Sequence, residues 1–165
     1  TLARGQRLEG IRRQLESHGL TDGLKAIVED PRAETDMQDG GLPYEYIVGR
    51  RLAAEFLRRK EDATALIGVN DMTALGILNE LQAQGFHIPR DYSVCGFDNI
   101  FASSVTTPTL TTIDHHLYTR CRSAVDMILS QNEKRASAQP AMVNKIEYTP
   151  QLIVRGSTGP CGTTA

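Results

Sequence analysis

An excess of charge of either sign is absent from this sequence. Lys and Arg number 18 against 20 Asp and Glu, for a formal net charge of −2 over 165 residues. A chain so balanced has no electrostatic case for gripping nucleic acid by itself. Long apolar runs are absent too, and none approaches the roughly 20 residues of a membrane span. Cysteine is scarce, with only Cys95, Cys121 and Cys161. Their odd number and wide spacing argue against a disulfide framework or a zinc site and fit a reducing cytoplasm. The first residues, Thr1 to Arg7, are polar and basic and lack the apolar core of a secretion signal.

Motifs of catalysis and cofactor binding are equally absent. There is no G-x-G-x-x-G, no phosphate-binding P-loop, no H-E-x-x-H and no G-x-S-x-G. An enzyme on a doubly wound sheet therefore has no nucleophile, base or phosphate cradle to point to, and no cofactor is implied. His115 and His116 are adjacent at an expected strand end, where alternation sends them to opposite faces. That disfavours a two-histidine metal site and leaves a surface or hinge role.

What the chain does have is a regular alternation of helical and strand-like segments. Leu8, Ile11 and Leu15 are spaced for a helix over 6–17, with Gly19 as a stop. An apolar run at 24–28 reads as a strand, and 32–43 as a polar, Gly-rich loop. Val48, Leu52 and Phe56 at four-residue spacing mark an amphipathic helix over 44–59. A strand at 65–69 leads into a helix at about 72–84, with Asp71 as N-cap and Gly85 just past its end. A strand is expected at 92–97, a loop at 100–108 and a strand at 109–113. A helix follows at 117–129, with Leu117, Cys121, Ala124, Val125, Ile128 and Leu129 on one stripe. A linker at 132–139, short strands at 143–146 and 152–154, and a frayed end at 156–165 complete the reading. The expected class is α/β, a mainly parallel sheet flanked by helices. The chain opens directly on a helix, and a unit of this kind is expected to place a strand before it. The sequence thus reads as a piece of a longer protein.

Two strand ends switch abruptly from apolar to polar. The first ends in Asn70-Asp71 and the second in Asp98-Asn99. Open α/β sheets bind ligands at the carboxyl ends of their strands. These four residues could also do no more than cap and turn the chain, which their side chains do well. On the functional reading Asn70 and Asp98 face a polyhydroxylated ligand. Asp accepts two hydroxyl hydrogen bonds, and Asn donates and accepts at once. Arg7 would complement them with a fork suited to hydroxyls or a carboxylate, or else belongs to a solvated basic face with Arg4, Arg12 and Arg13. Tyr44 could stack on a sugar ring or simply cap its helix.

With these residues in place the chain resembles the lactose/galactose-repressor family of bacterial transcription regulators. The resemblance rests on Arg7-Leu8-Glu9-Gly10 and Val69-Asn70-Asp71-Met72-Thr73-Ala74-Leu75-Gly76. It continues through residues 85–99, from Gly85-Phe86-His87-Ile88-Pro89 to Val94-Cys95-Gly96-Phe97-Asp98-Asn99. It ends with Thr107-Pro108-Thr109-Leu110-Thr111-Thr112-Ile113 and Leu152-Ile153-Val154-Arg155-Gly156-Ser157-Thr158. It implies a periplasmic-binding-protein-like fold of two lobes with an effector in the cleft. Most of this chain would be the C-terminal lobe, at 1–116 and about 141–158. The segment 117–131 would be the helix that crosses back to the N-terminal lobe. The helix-turn-helix domain and most of the N-terminal lobe would lie outside this sequence.

By position, Arg7, Asn70 and Asp98 match the family's polar effector contacts, and Tyr44 its aromatic stacking position. His115 and Leu117 fall where the crossover lines the cleft, although His115 is an unusual choice there. Ala3 replaces a frequent hydroxyl residue, and the acidic loop at 29–41 is longer than usual. The implied partners are a sugar or related polyol and a second copy of the chain. Leu75, Leu78, Asn79, Ile100 and Thr106 would lie on the dimer surface. DNA would be contacted only through the absent domain, no membrane is implied, and the implied location is the cytoplasm. A periplasmic sugar-binding protein of a transporter is the alternative of another class.

Overall fold

The first helix, α1 (Leu2–Ser17), starts four residues earlier than its apolar spacing predicts. It ends as Gly19 predicts. Gly19 adopts φ +75°, the Leu20 N–H donates to the Leu15 carbonyl, and the Gly19 N–H to the Glu16 carbonyl. Those two bonds satisfy carbonyls that a helix end leaves open. The computed structural model describes residues 2–20, 22–28, 41–136 and 145–160. The loop expected at 32–43 is therefore described only at 41–43, and Thr1, Cys161 and the last residues lie outside the described part. The run at 24–28 is not a strand. None of the described strands pairs with it; Leu24 and Ile27 are part-buried and Val28 is 81% exposed.

Helix α2 (Tyr44–Arg59) has the predicted bounds. Its buried stripe is Gly49, Ala53 and Phe56 rather than Val48, Leu52 and Phe56. The reason is its close crossing with α3 (Asp71–Ala83). A Cβ on Gly49 would come within 2.1 Å of the Thr73 carbonyl oxygen, and one on Gly76 within 2.1 Å of the Tyr46 carbonyl oxygen. The two glycines let the helix backbones meet, and the contact is sealed by Ala53, Ala74, Leu75, Ile77, Leu78 and Leu81. At its rim the Arg50 guanidinium donates twice to Glu80 Oε2, at 3.0 and 2.9 Å. Gln84 and Arg50 together hold the Glu80 carboxyl below its usual range. Helix α3 ends as Gly85 predicts, with φ +87° and the Phe86 N–H bonded to the Leu81 carbonyl.

Strand β1 (Ala65–Ile67) runs parallel to β2 (Ser93–Cys95), in register Leu66 to Val94. It is shorter than expected and less buried, with Ile67 54% exposed, because β2 is its only partner among the described residues. A parallel bridge from Cys95 to Thr111 links β2 to β3 (Thr112–Asp114). Beyond it β4 (Gln151–Ile153) pairs antiparallel with β3. The order is thus parallel from β1 to β3 with an antiparallel edge. Ser157 locks the β2–β3 junction from a fully buried position. Its hydroxyl donates to the Val94 carbonyl at 2.6 Å and accepts the Thr111 N–H at 2.8 Å. Of the end expected to fray at 156–165, residues 156–160 are held against the sheet, with the Gly159 N–H on Ser93 Oγ at 3.2 Å, and 161–165 lie outside the described part.

The loop expected at 100–108 contains a short helix, α4 (Phe101–Val105). The last helix, α5 (Leu117–Ala136), runs on through most of the expected linker. Its apolar stripe is largely uncovered among the described residues, with Leu117, Val125, Ile128 and Leu129 each more than half exposed. Of the strand expected at 143–146, residues 145 and 146 are not in strand conformation and the other two are outside the described part.

The glycine crossing predicts a contrast. Gly76→Ala forces two backbones apart and lowers the unfolding free energy by about 1–3 kcal/mol. Gly10→Ala in α1 has nothing within 4 Å of the added methyl and raises helix stability by about 1 kcal/mol. Denaturant titration of both variants reads the difference; equal effects would refute the close-crossing account.

Candidate functional site

The sequence assigns capping to Asp71 and ligand contact to Asn70. The structure reverses the first half of that assignment. Asn70 is the N-cap of α3, its Oδ1 accepting the Thr73 N–H at 2.8 Å. Its amide Nδ2 makes no hydrogen bond among the described residues. Asp71 begins the helix and is wholly buried. Its Oδ1 accepts the Thr112 hydroxyl at 2.5 Å and its Oδ2 the Ile100 N–H at 2.9 Å. The Asp71 N–H in turn donates to the Phe97 carbonyl at 2.8 Å. A carboxylate in the first turn also meets the positive end of the helix dipole. One residue thus ties α3 to the exits of β2 and to β3.

The segment it frames is Asp98-Asn99. Both have positive φ, 122° and 53°. Asp98 at 122° lies in a region that side chains rarely occupy, and such strain persists only where surroundings impose it. Here the imposing bonds are on either side. The Asp98 N–H donates to the Ile113 carbonyl at 2.9 Å. Asn99 bonds through Nδ2 to Asp114 Oδ2 at 3.1 Å, and its Oδ1 accepts from the Arg155 guanidinium at 2.7 Å. Arg155 reaches on to Ser103 Oγ at 3.0 Å and the Leu110 carbonyl at 2.9 Å.

Asp98 Oδ1 lies 3.1 Å from His115 Nε2. Burial pushes the Asp98 carboxyl above its usual range, while His115 and Arg7 pull it down. His115 stacks on Phe97 with ring centroids 5.4 Å apart, and its Nδ1 is 3.0 Å from Arg120 Nη1. Arg7 does not belong to a solvated face. It is half-buried, donates to the Val69 carbonyl at 2.8 Å, and lies 3.6 Å from the centre of the Phe97 ring. A guanidinium over an aromatic face contributes roughly 0.5–1 kcal/mol and fixes the fork in place. His116 goes elsewhere, its N–H donating to Asp114 Oδ1 at 2.7 Å. Both histidines lie past the end of β3, and His116 takes φ 57° where the chain turns, so strand alternation does not set their directions.

The structure therefore gathers Arg7, Asp98 and His115 around Phe97 at the carboxyl end of the sheet, next to Asn70. Tyr44 opens α2 at 51% exposure and Leu117 opens α5 at 55%; their place at a ligand rests on position in the sequence. The expected dimer residues divide. Leu75 and Leu78, 7% and 4% exposed, belong to the core cluster, so they are not on an outer surface of this chain. Asn79 is exposed, and Ile100 and Thr106 are half-buried beside α4. Phe97 and Arg120 carry weight in the site that the sequence reading did not give them. Phe97 stood next to Asp98 in the motif as a signal; Arg120 had none.

Residues 3–158 match the model of the periplasmic binding protein-like domain family. The chain is 34% identical over 152 residues to an HTH-type transcriptional repressor PurR of Haemophilus influenzae, covering 92% of this chain and 41% of that protein. It is 36% identical over 109 residues to the arabinose metabolism transcriptional repressor of Geobacillus stearothermophilus, covering 65% of this chain and 29% of that protein. Among solved structures, a LacI family regulator from Enterococcus faecium with bound ribose superposes at a TM-score of 0.63. It is 28% identical and covers 72% of this chain and 43% of its own. The chain thus spans well under half the length of these relatives. It belongs to the periplasmic binding protein-like domain family and, within it, is similar to regulators of the lactose/galactose-repressor type.

Proposed function

We propose that this chain is the effector-sensing and dimerisation region of a bacterial transcriptional regulator, and that Arg7, Asn70, Asp98 and His115 form one wall of its effector site. The observation that carries the reading is the convergence of Arg7, Asp98 and His115 on Phe97 at the carboxyl ends of the strands. The group offers donors and an acceptor held by other side chains, with backbone strain localised at Asp98. The ligand is a small sugar or related polyol. Tyr44 and Leu117 join the wall by sequence position. A relative with bound ribose supports a sugar-like class. Repressors among the relatives, at 34% and 36% identity, favour a regulator over a periplasmic transport protein.

In this reading most of the chain is the C-terminal lobe, at 1–116 and about 141–158. Segment 117–131 is a crossover helix whose exposed stripe meets the other lobe. A second copy docks over α4, where Phe101 and Val105 are 81% and 60% exposed, with Asn79, Ile100 and Thr106 beside them. DNA binding belongs to a helix-turn-helix domain elsewhere in the protein, and the protein works in the cytoplasm. None of the described helices is long and apolar enough to cross a membrane. Effector binding acts by favouring one lobe closure over another, which shifts the population competent for DNA.

Two outcomes follow. Asp98→Ala in the full-length protein abolishes the effector response while operator affinity stays within about twofold, because it removes a ligand acceptor and leaves the Asp71 bonds that hold the fold. Fluorescence anisotropy on operator DNA, titrated with the sugar that shifts melting of the wild type, measures both. Normal release of DNA by the variant would show the site assignment to be wrong. The second outcome is a dependence on pH. A carboxyl raised by burial contributes stability that is present below the unfolded value, near 3.9, and lost as pH rises through the folded value. Asp98→Asn cannot ionise and still accepts from His115. Its melting temperature therefore exceeds that of wild type at pH 7, and the gap closes toward pH 4. A gap independent of pH would contradict the burial effect.

A further inference from the structure

His115 sits between two groups whose hydrogen-bonding roles are fixed. Its Nδ1 is 3.0 Å from Arg120 Nη1. A guanidinium can only donate, so Nδ1 is the acceptor and carries no hydrogen. The ring hydrogen is then on Nε2, which faces Asp98 Oδ1 at 3.1 Å. It follows that Asp98 Oδ1 accepts from His115 and is not the oxygen that carries a proton. A protonated Oδ1 would need a bare Nε2, and an imidazole with both nitrogens bare is an anion, out of reach near neutral pH. Stacking on Phe97 and a side-chain exposure of 16% keep the ring in this plane. No bond to Asp98 Oδ2 occurs among the described residues.

We propose that His115 is a specificity-determining residue and Arg120 its positioning residue. Arg120 and Asp98 together hold His115 as the Nε2–H tautomer, and His115 shares Asp98 Oδ1. Asp98 then accepts one ligand hydroxyl strongly through the free Oδ2 and a neighbouring one only weakly through the shared Oδ1. The inference rests on the reading of Asp98 as an effector contact and narrows it. An unencumbered carboxylate can receive two neighbouring hydroxyls side by side. In this one an oxygen is shared before any ligand arrives. Neighbouring Asn70 is biased in the complementary sense, since its Oδ1 already caps α3. The wall therefore presents one wholly free carboxylate oxygen and several N–H donors. It suits a sugar that offers one hydroxyl hydrogen to Asp98 and turns hydroxyl or ring oxygens toward Asn70 and Arg7.

The test uses full-length protein with isotope-labelled histidine and needs no ligand for its first arm. A long-range nitrogen–proton correlation spectrum, with His115 assigned from its loss in His115→Gln, reads the tautomer. The expected result is a bare Nδ1 and a protonated Nε2 at neutral pH. In Asp98→Asn, whose amide can accept or donate, the tautomer is set by Arg120 alone: adding Arg120→Ala mixes the two forms, and adding Arg120→Lys, which keeps a donor, restores the single form. A protonated Nδ1 in wild type, or a single unchanged tautomer in the Asp98→Asn, Arg120→Ala double variant, overturns the proposal. The second arm is calorimetric titration with D-ribose, D-galactose and D-glucose, each beside the two mono-deoxy analogues of a neighbouring hydroxyl pair. In wild type, one deletion of a pair weakens binding by about tenfold or more and the other by much less. In His115→Phe, which keeps the stacked ring, both deletions cost about tenfold. A sugar that binds wild type and loses equally from both deletions in both proteins overturns this proposal alone. Failure of all three sugars to bind wild type overturns the sugar reading of the site and the selectivity drawn from it.

Discussion

The fully buried carboxylate of Asp71 is the interaction on which the rest of the arrangement depends. It stands at the start of α3 and receives a hydroxyl from Thr112 on β3 and the N–H of Ile100 just before α4. Its own N–H holds the Phe97 carbonyl. Three elements that are remote in sequence are thereby fixed around the turn at Asp98-Asn99. Gly96 is required beside it, since a Cβ there would meet the Asp71 carboxylate at 2.2 Å. Leaving such a group without its partners costs about 1–3 kcal/mol or more for each, because none can turn to water. The same bonds that stabilise the fold hold the site open and strained.

Framework and site divide the polar residues between them. Asp71, Ser157 and Arg155 face inward and bond to backbone and to each other's neighbours, joining β2, β3 and α4. Asp98, His115 and Arg7 sit at the edge of the same sheet and use Phe97 as a common surface. Burial raises the Asp98 carboxyl, so the folded chain would be more comfortable with an amide there. That is the signature of a residue kept for what it binds and not for what it stabilises. The φ of 122° at Asp98 points the same way.

Much of this was legible in the residues. The bounds of α2, the glycine stops of α1 and α3, and the two polar strand ends all came from spacing and turn chemistry. The illegible parts have physical causes. Whether Asn70 or Asp71 caps α3 depends on one residue of register, and both side chains cap well. Leu75 and Leu78 could not be told from a surface pair because α3 is buried along most of its length, and what covers it is set by elements remote in sequence. The run at 24–28 has strand composition, but a strand exists only with a neighbour. Arg120 looked like one more charge on an amphipathic helix. Its role arises from a bond to His115 across a chain reversal at His116, where φ is 57°.

The division of labour between Asp71 and Asp98 is the central claim, and a crystal structure of the full-length protein with its effector tests it most directly. The account predicts a ligand hydroxyl within hydrogen-bond distance of Asp98 Oδ2, further ligand oxygens at Arg7 and Asn70, and Asp71 still bonded to Thr112 and Ile100. A ligand bound away from Asp98, or one reached by the Asp71 carboxylate, would contradict it.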